Sequence, residues 1–317
     1  MRKKWFWVVM MMLIAFPAGS LMLAGADSGK RPQTQAKAVV LLDLQSGRIL
    51  YSHNQNAPLP SASMPKLMTQ LLVLDGVRSG VIHWEDKVKV SLAASQSQGN
   101  RLRLQAGEVV TVQELFQGVA FYSAEDAAMA LAEHMSGTEK DFVHLMNQRS
   151  RELGLSPQTV FYPSAQAQQK HPGKDGSKPA ASSTRMTAAD TALLAAHLIT
   201  QYPEILDTSS QTQIKIAGKD LYLSSNNWML PSMAGPYAYE GTDGLKAGYS
   251  EQAGYCFTGT AQRGGTRLIA VVLGTGSREQ RFEETRRLFD YGFSKNMTLQ
   301  ERLNDWLHPE KATAALF

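Results

Sequence analysis

Apolar residues recur along the chain with two different periods, and the changes of period divide it. Ala38 to Leu44 and Arg48 to Ser52 are β-rich runs on either side of Gln45-Ser46-Gly47, which predicts a hairpin. Pro58 and Pro60 then punctuate the chain before an apolar helical pattern from Ser63 to about Val77. Pro65 falls in its first turn, where a missing N–H costs little. Further helical patterns cover about 112–120, 124–136 and 138–153, with Gly137 and Gly154 placed as stops behind the last two. Residues 164–184 are rich in Gln, Lys, Gly, Ser and Pro and lack periodicity, as expected of a long exposed loop. A helix from about Thr187 to Thr200 ends before Pro203. Strand patterns follow at Gln213 to Ala217 and Lys219 to Leu223 around Gly218. Three more lie at about 241–248, Tyr255 to Ala261 and Arg267 to Gly274. An amphipathic helix from Arg278 to Phe293 closes the body. No internal repeat is visible. Strands at both ends with helices between predict an α/β fold: an antiparallel sheet completed by distant segments, flanked by helices, with a mainly helical subdomain inserted beside it.

The ends are of a different kind. Arg2-Lys3-Lys4, the charge-free apolar run Trp5 to Phe16 and the small-x-small pattern Ala24-Gly25-Ala26 make residues 1–26 a secretory signal. An uncleaved anchor is the alternative, since the uncharged stretch from Trp5 to Ala26 is long enough to span; Pro17 and Gly19 favour cleavage. Either way the body is expected outside the cytoplasm. Residues 27–36 read as a linker, 37–295 as the main domain and 296–317 as a tail. One short pattern in the tail, Leu299 to Leu307, is near neutral, which favours packing or disorder. Contact with a membrane surface through leader or tail stays open.

Composition changes the picture little. With 317 residues, 43% hydrophobic, the chain can bury a substantial core. The formal charge of +4 falls to about +1 without the three leader cations, so no basic stripe points to nucleic acid. The single cysteine, Cys256, excludes an intramolecular disulfide framework and sits in a strand pattern as a small buried hydrophobe. None of the seven histidines falls in a metal-binding pattern, no cofactor motif is complete, and G-x-S-x-G is absent. Arg278, Arg281, Arg286 and Arg287 lie among Glu279, Glu283 and Glu284, as a solvated helix face would place them.

Ser63-Met64-Pro65-Lys66 is the sharpest chemical signal. On a helix, i and i+3 share a face, so the lysine amine can reach the serine hydroxyl. Serine needs a nearby base to act as a nucleophile, and a neutral lysine amine can be one. The stretch AVVLLDLQSGRILYSHNQNAPLPSASMPKLMT, Ala38 to Thr69, is similar to the opening of low-molecular-weight penicillin-binding proteins, the D-alanyl-D-alanine carboxypeptidases. Those proteins share with class A β-lactamases S-x-x-K, then S-x-N or S-D-N, then K-T-G. Tyr122-Ser123-Ala124-Glu125 stands in the second place, before a family-like ALAEHMSG. Lys246-Ala247-Gly248-Tyr249 stands in the third, before the family-like AGYCFTGTAQRGGTRLIAVVLGT. The resemblance covers about residues 37–293.

It implies a penicillin-binding, β-lactamase-like transpeptidase fold and an acyl transfer on peptidoglycan stem peptides, with β-lactams as inhibitors and no cofactor. It implies Ser63 as nucleophile, Lys66 as its base and Ser123 as proton relay. Lys246, Ala247, Gly248, Tyr249 and Glu125 would line the substrate, with an oxyanion hole at the N–H groups of Ser63 and Tyr249. Two positions depart from the pattern: Glu125 replaces Asn and Ala247 replaces Thr or Ser. Losing a hydrogen bond to a charged group costs about 1.5–3 kcal/mol, one to two decades in rate. A carboxylate beside Lys66 would favour its ammonium form. Glu125 could instead accept a proton or prepare water, or point to solvent. Three readings follow: a serine carboxypeptidase, a weakened or inactive relative that binds wall peptide, and a β-lactamase.

Overall fold

The computed structural model describes residues 31–163 and 183–296; the expected leader, most of the 164–184 loop and the tail lie outside them. The strands in chain order are β1 (Ala38–Asp43), β2 (Arg48–His53), β3 (Leu59–Pro60), β4 (Lys87–Lys89), β5 (Val109–Thr111), β6 (Arg185–Met186), β7 (Gln213–Ile216), β8 (Leu221–Ser224), β9 (Thr242–Ser250), β10 (Gly254–Arg263) and β11 (Thr266–Thr275). Five of them form an antiparallel sheet in the order β2-β1-β11-β10-β9. The first strand pairs with the last, Ala38 opposite Leu273, so the ends of the body close one sheet across more than 230 residues. Every residue of β1 is buried. Its alternation divides the core: Ala38, Val40 and Leu42 face the helical subdomain, while Val39 and Leu41 join Phe257, Phe282 and Phe289 on the other face. A strand covered on both faces must be apolar throughout, and AVVLLD is apolar but for Asp43.

The expected hairpin, the helices and the late strands are present within a few residues of their expected bounds. The central helix α1 (Lys66–Arg78) is buried from Lys66 to Leu74 and sits between sheet and subdomain. It starts at Lys66, three residues later than the pattern suggests. Pro65 has no N–H and restricts Met64, so the first turn closes by shorter bonds, Lys66 N to Ser63 O and Leu67 N to Met64 O. Ser63 therefore lies in that turn.

A second difference matters for the site. The pattern at 112–120 divides into an α-helix, Val112–Gln117, and a π-helical turn, Gly118–Tyr122. The helix is opened by a capping box between Thr111 and Glu114. The subdomain continues with α-helices Glu125–Ser136 and Glu139–Glu152, and Ala188–Gln201 lies against β1 and β11. Two short strand pairs, Lys87–Lys89 with Val109–Thr111 and Leu59–Pro60 with Arg185–Met186, were not visible as patterns.

Cys256 is fully buried, and burial pushes its thiol up to about 11. The raised value favours the neutral form. That contribution is complete below the unfolded value of about 9 and is lost as pH rises toward about 11. A thiol reagent near neutral pH is expected to leave the folded protein unmodified and to label it in urea. Rapid labelling without denaturant would contradict this burial.

Candidate active site

Three separate pieces of chain meet where the sheet edge faces the helical subdomain. The first is the turn carrying Ser63. Its N–H donates to no acceptor among the described residues, and no hydrogen bond joins its hydroxyl to Lys66. The second is the end of the π-helical turn. Ser123 has φ of 64°, the left-handed region that is costly for a side chain, and its buried Oγ has no hydrogen-bond partner. Neighbouring bonds fix that geometry. Glu125 N donates to Asn100 O at 2.7 Å, and Asn100 Nδ2 to Tyr122 O at 3.0 Å. The fully buried Asp126 carboxylate accepts from Leu102 N at 3.0 Å and Leu104 N at 3.1 Å. The loop 99–104 is thus clasped to the start of the Glu125–Ser136 helix.

The third piece is β9, the sheet edge. Lys246 is buried there and donates from Nζ to Val119 O at 2.6 Å and Ala120 O at 2.9 Å. These carbonyls belong to the π-helical turn, so Lys246 fastens the edge strand to the segment that presents Ser123. Burial holds Lys246 well below the usual lysine range; the charge of Lys66 acts in the same direction and Glu125 opposes both. Two residues on, Gly248 lets the strand touch Ser63. A Cβ there would lie 2.7 Å from Ser63 N and 2.9 Å from Ser63 Cβ. Only glycine permits this approach.

One cleft of about 520 Å³ is lined by Ser63, Ser123, Glu125, Ala247, Gly248 and Tyr249. Lys66 opens instead onto a neighbouring cavity of about 550 Å³, and Lys246 onto a small recess under Ala247. Six of the eight residues marked by their motifs thus line one cleft, and Lys66 and Lys246 line spaces that share Glu125 and Ala247 with it. Lys66 Nζ donates to Glu125 Oε1 at 2.5 Å, with side chains 9% and 37% exposed. Glu125 does not point away to solvent; it forms an ion pair with the lysine.

The expectation of a solvated arginine face fails at Arg281. It is 4% exposed, lies under β9 and β10 and lines the cleft beside Arg278. Its Nη1 donates to Gly248 O at 3.1 Å, its guanidinium lies over the Phe282 ring, and its Nε has no partner. Burial, helped by Arg278, lowers its value to about 10, which leaves it charged at neutral pH. Of the four arginines, Arg287 does pair as expected, with Glu284 at 2.9 Å.

Ser63 three residues before Lys66, Ser123 with its unpartnered Oγ and Lys246 on the edge strand stand in the order of the S-x-x-K, S-x-N and K-T-G motifs. Residues 26–277 match the D-alanyl-D-alanine carboxypeptidase family. The chain belongs to that family. The carboxypeptidase DacF of Bacillus subtilis is 33% identical over 279 residues, covering 86% of this chain and 66% of its own length. DacC of Escherichia coli is 31% identical, covering 85% and 64%. The chain thus spans about two thirds of the length of these curated relatives. Penicillin-Binding Protein D2 from Listeria monocytogenes, solved in the ampicillin-bound form, superposes with a TM-score of 0.68 at 32% identity. That match covers 83% of this chain and 99% of the Listeria chain. PBP3 from Streptococcus pneumoniae, at 31% identity, gives 0.73 over 82% of this chain and 74% of that one. The fold of this carboxypeptidase-family chain is therefore the penicillin-binding one.

Proposed function

We propose that the protein is a serine-type D-alanyl-D-alanine carboxypeptidase that removes the terminal D-alanine from peptidoglycan stem peptides outside the cytoplasm. The observation that carries this reading is the meeting of Ser63 and Ser123 in one cleft against the β9 edge, with Lys66 on a neighbouring cavity that shares Glu125 with it and Lys246 on a recess that shares Ala247. Ser63 Oγ attacks the carbonyl of the penultimate D-alanine. Lys66 takes the hydroxyl proton while passing one of its own to Glu125 along their hydrogen bond. The oxyanion is received by the N–H groups of Ser63 and Tyr249, each such donor being worth about 3–4 kcal/mol. Ser123 relays a proton to the leaving D-alanine amine, and water then frees the acyl group.

Arg281 gives the substrate carboxylate a counter-charge beside Gly248, which offsets the hydroxyl that Ala247 lacks. β-Lactams would acylate the same serine; the Listeria relative has been solved with ampicillin and with cefotaxime bound. A second reading, binding of wall peptide without turnover, is favoured by one observation: Lys66 is paired with Glu125 and not with Ser63.

The deciding assay follows D-alanine release from a stem pentapeptide. Release by wild type and none by Ser63→Ala supports the enzyme, whereas binding with no release supports the second reading. For Arg281→Gln we expect KM to rise about 10- to 100-fold with a smaller change in kcat, since charge-assisted bonds are worth about 1.5–3 kcal/mol. Partial recovery by Arg281→Lys would separate lost charge from lost packing; an unchanged KM would remove Arg281 from the substrate site.

A further inference from the structure

The carboxylate in the second motif has a use that an amide there could not have. Glu125 is the one carboxylate lining the cleft among the described residues, and no histidine lines it. Lys66 is occupied as a proton donor to Glu125 Oε1, and Lys246 donates into two main-chain carbonyls. Among the described residues Glu125 alone lines both the cleft and the neighbouring cavity, so water can reach it from either side. Its Oε2 has no hydrogen-bond partner among the described residues. Gly99 makes room for it: a Cβ at that position would press on Glu125 Cγ at 3.1 Å. A carboxylate held at one oxygen and free at the other, facing the cleft that contains Ser63, is placed to take a proton from water.

We infer that Glu125 is the general base that activates water for release of the acyl group from Ser63, and that the protein therefore hydrolyses β-lactams as well as becoming acylated by them. The inference rests on the acyl-enzyme of the proposed function. Water loses a proton to Glu125 Oε2 as its oxygen bonds to the ester carbonyl carbon. The tetrahedral intermediate collapses, the bond from that carbon to Ser63 Oγ breaks, and Ser63 Oγ takes a proton from the Lys66 ammonium. Glu125, now protonated, returns a proton to Lys66 across their hydrogen bond. Water has been consumed, the acid has been released, and the ion pair is restored.

The test is time-resolved intact-mass spectrometry with benzylpenicillin on wild type, Glu125→Gln and Glu125→Ala, with thermal melts to confirm folding. In wild type the Ser63 adduct is expected to form and decay with release of penicilloate. In Glu125→Gln it is expected to persist about 10²- to 10⁴-fold longer, the range for loss of a general base. Added formate should shorten the adduct lifetime in Glu125→Ala, an effect that repair of packing would not produce. Adducts that decay at equal rates in wild type and Glu125→Gln, or a wild-type adduct that does not decay, would overturn the inference and leave acylation standing. Absence of an adduct in every protein would remove the carboxypeptidase reading and this inference with it.

Discussion

Lys66→Ala is expected to slow acylation of Ser63 by about 10³-fold, within the range for losing a positioned acid-base group. Among the described residues no side chain is hydrogen-bonded to Ser63, and Lys246 is held by Val119 O and Ala120 O. The pair with Glu125 is also the route by which Lys66 can shed a proton before taking one from Ser63. Stability should change little, because Glu125 is 37% exposed and water can replace part of what Lys66 gives it. The measurement is the second-order acylation rate constant with a chromogenic penicillin, beside a thermal melt. A loss below about 10-fold with an intact fold would show that Lys66 is not the base.

Gly248→Ala should be nearly as damaging, for a steric reason. The added Cβ would stand 2.7 Å from Ser63 N, 2.9 Å from Ser63 Cβ and 3.1 Å from Ala62 Cβ. Either the β9 edge retreats or the turn carrying Ser63 does. Both movements separate the nucleophile from the Tyr249 N–H, and both disturb the bond from Arg281 to Gly248 O. Misplacement on the ångström scale costs about 10²-fold in rate. Overpacking should also lower stability by about 1–3 kcal/mol. Acylation kinetics and urea unfolding of the variant check the two parts separately. Unchanged kinetics would mean that β9 does not support the nucleophile.

Much of this arrangement was legible from residue order alone, for identifiable reasons. β1 and β11 were readable because strands buried on both faces must be apolar throughout, as AVVLLD and LIAVVLG are. Ser63 and Lys66 were readable because their spacing has a geometric meaning near a helix start. The two departures, Glu125 and Ala247, were visible, and contact with Lys66 was one of several alternatives left open for Glu125. That contact depends on the loop at Gly99 and Asn100 folding against the second motif, a tertiary event without a local signal.

The π-helical turn was hidden because Gly118 to Tyr122 carries the same apolar spacing as an α-helix. Its carbonyls become partners of Lys246 only when β9 arrives from more than 120 residues away. Arg281 was misread for a similar reason. Its helix mixes arginine and glutamate like an exposed surface, yet Arg281 is buried against β9 and β10, and Glu284 is buried too. An amphipathic pattern reports the average face of a helix and misses one charged residue drawn beneath a sheet edge.

The central claim is that Ser63 is an activated nucleophile in a cleft that tolerates Glu125 and Ala247. Intact-mass spectrometry after incubation with a penicillin, beside Ser63→Ala, tests it most directly. A single adduct on the wild-type protein, captured at early times and missing from the variant, is the expected result. Wild-type protein that stays unmodified at every time and releases no penicilloate, while a folded relative reacts under the same conditions, would contradict it.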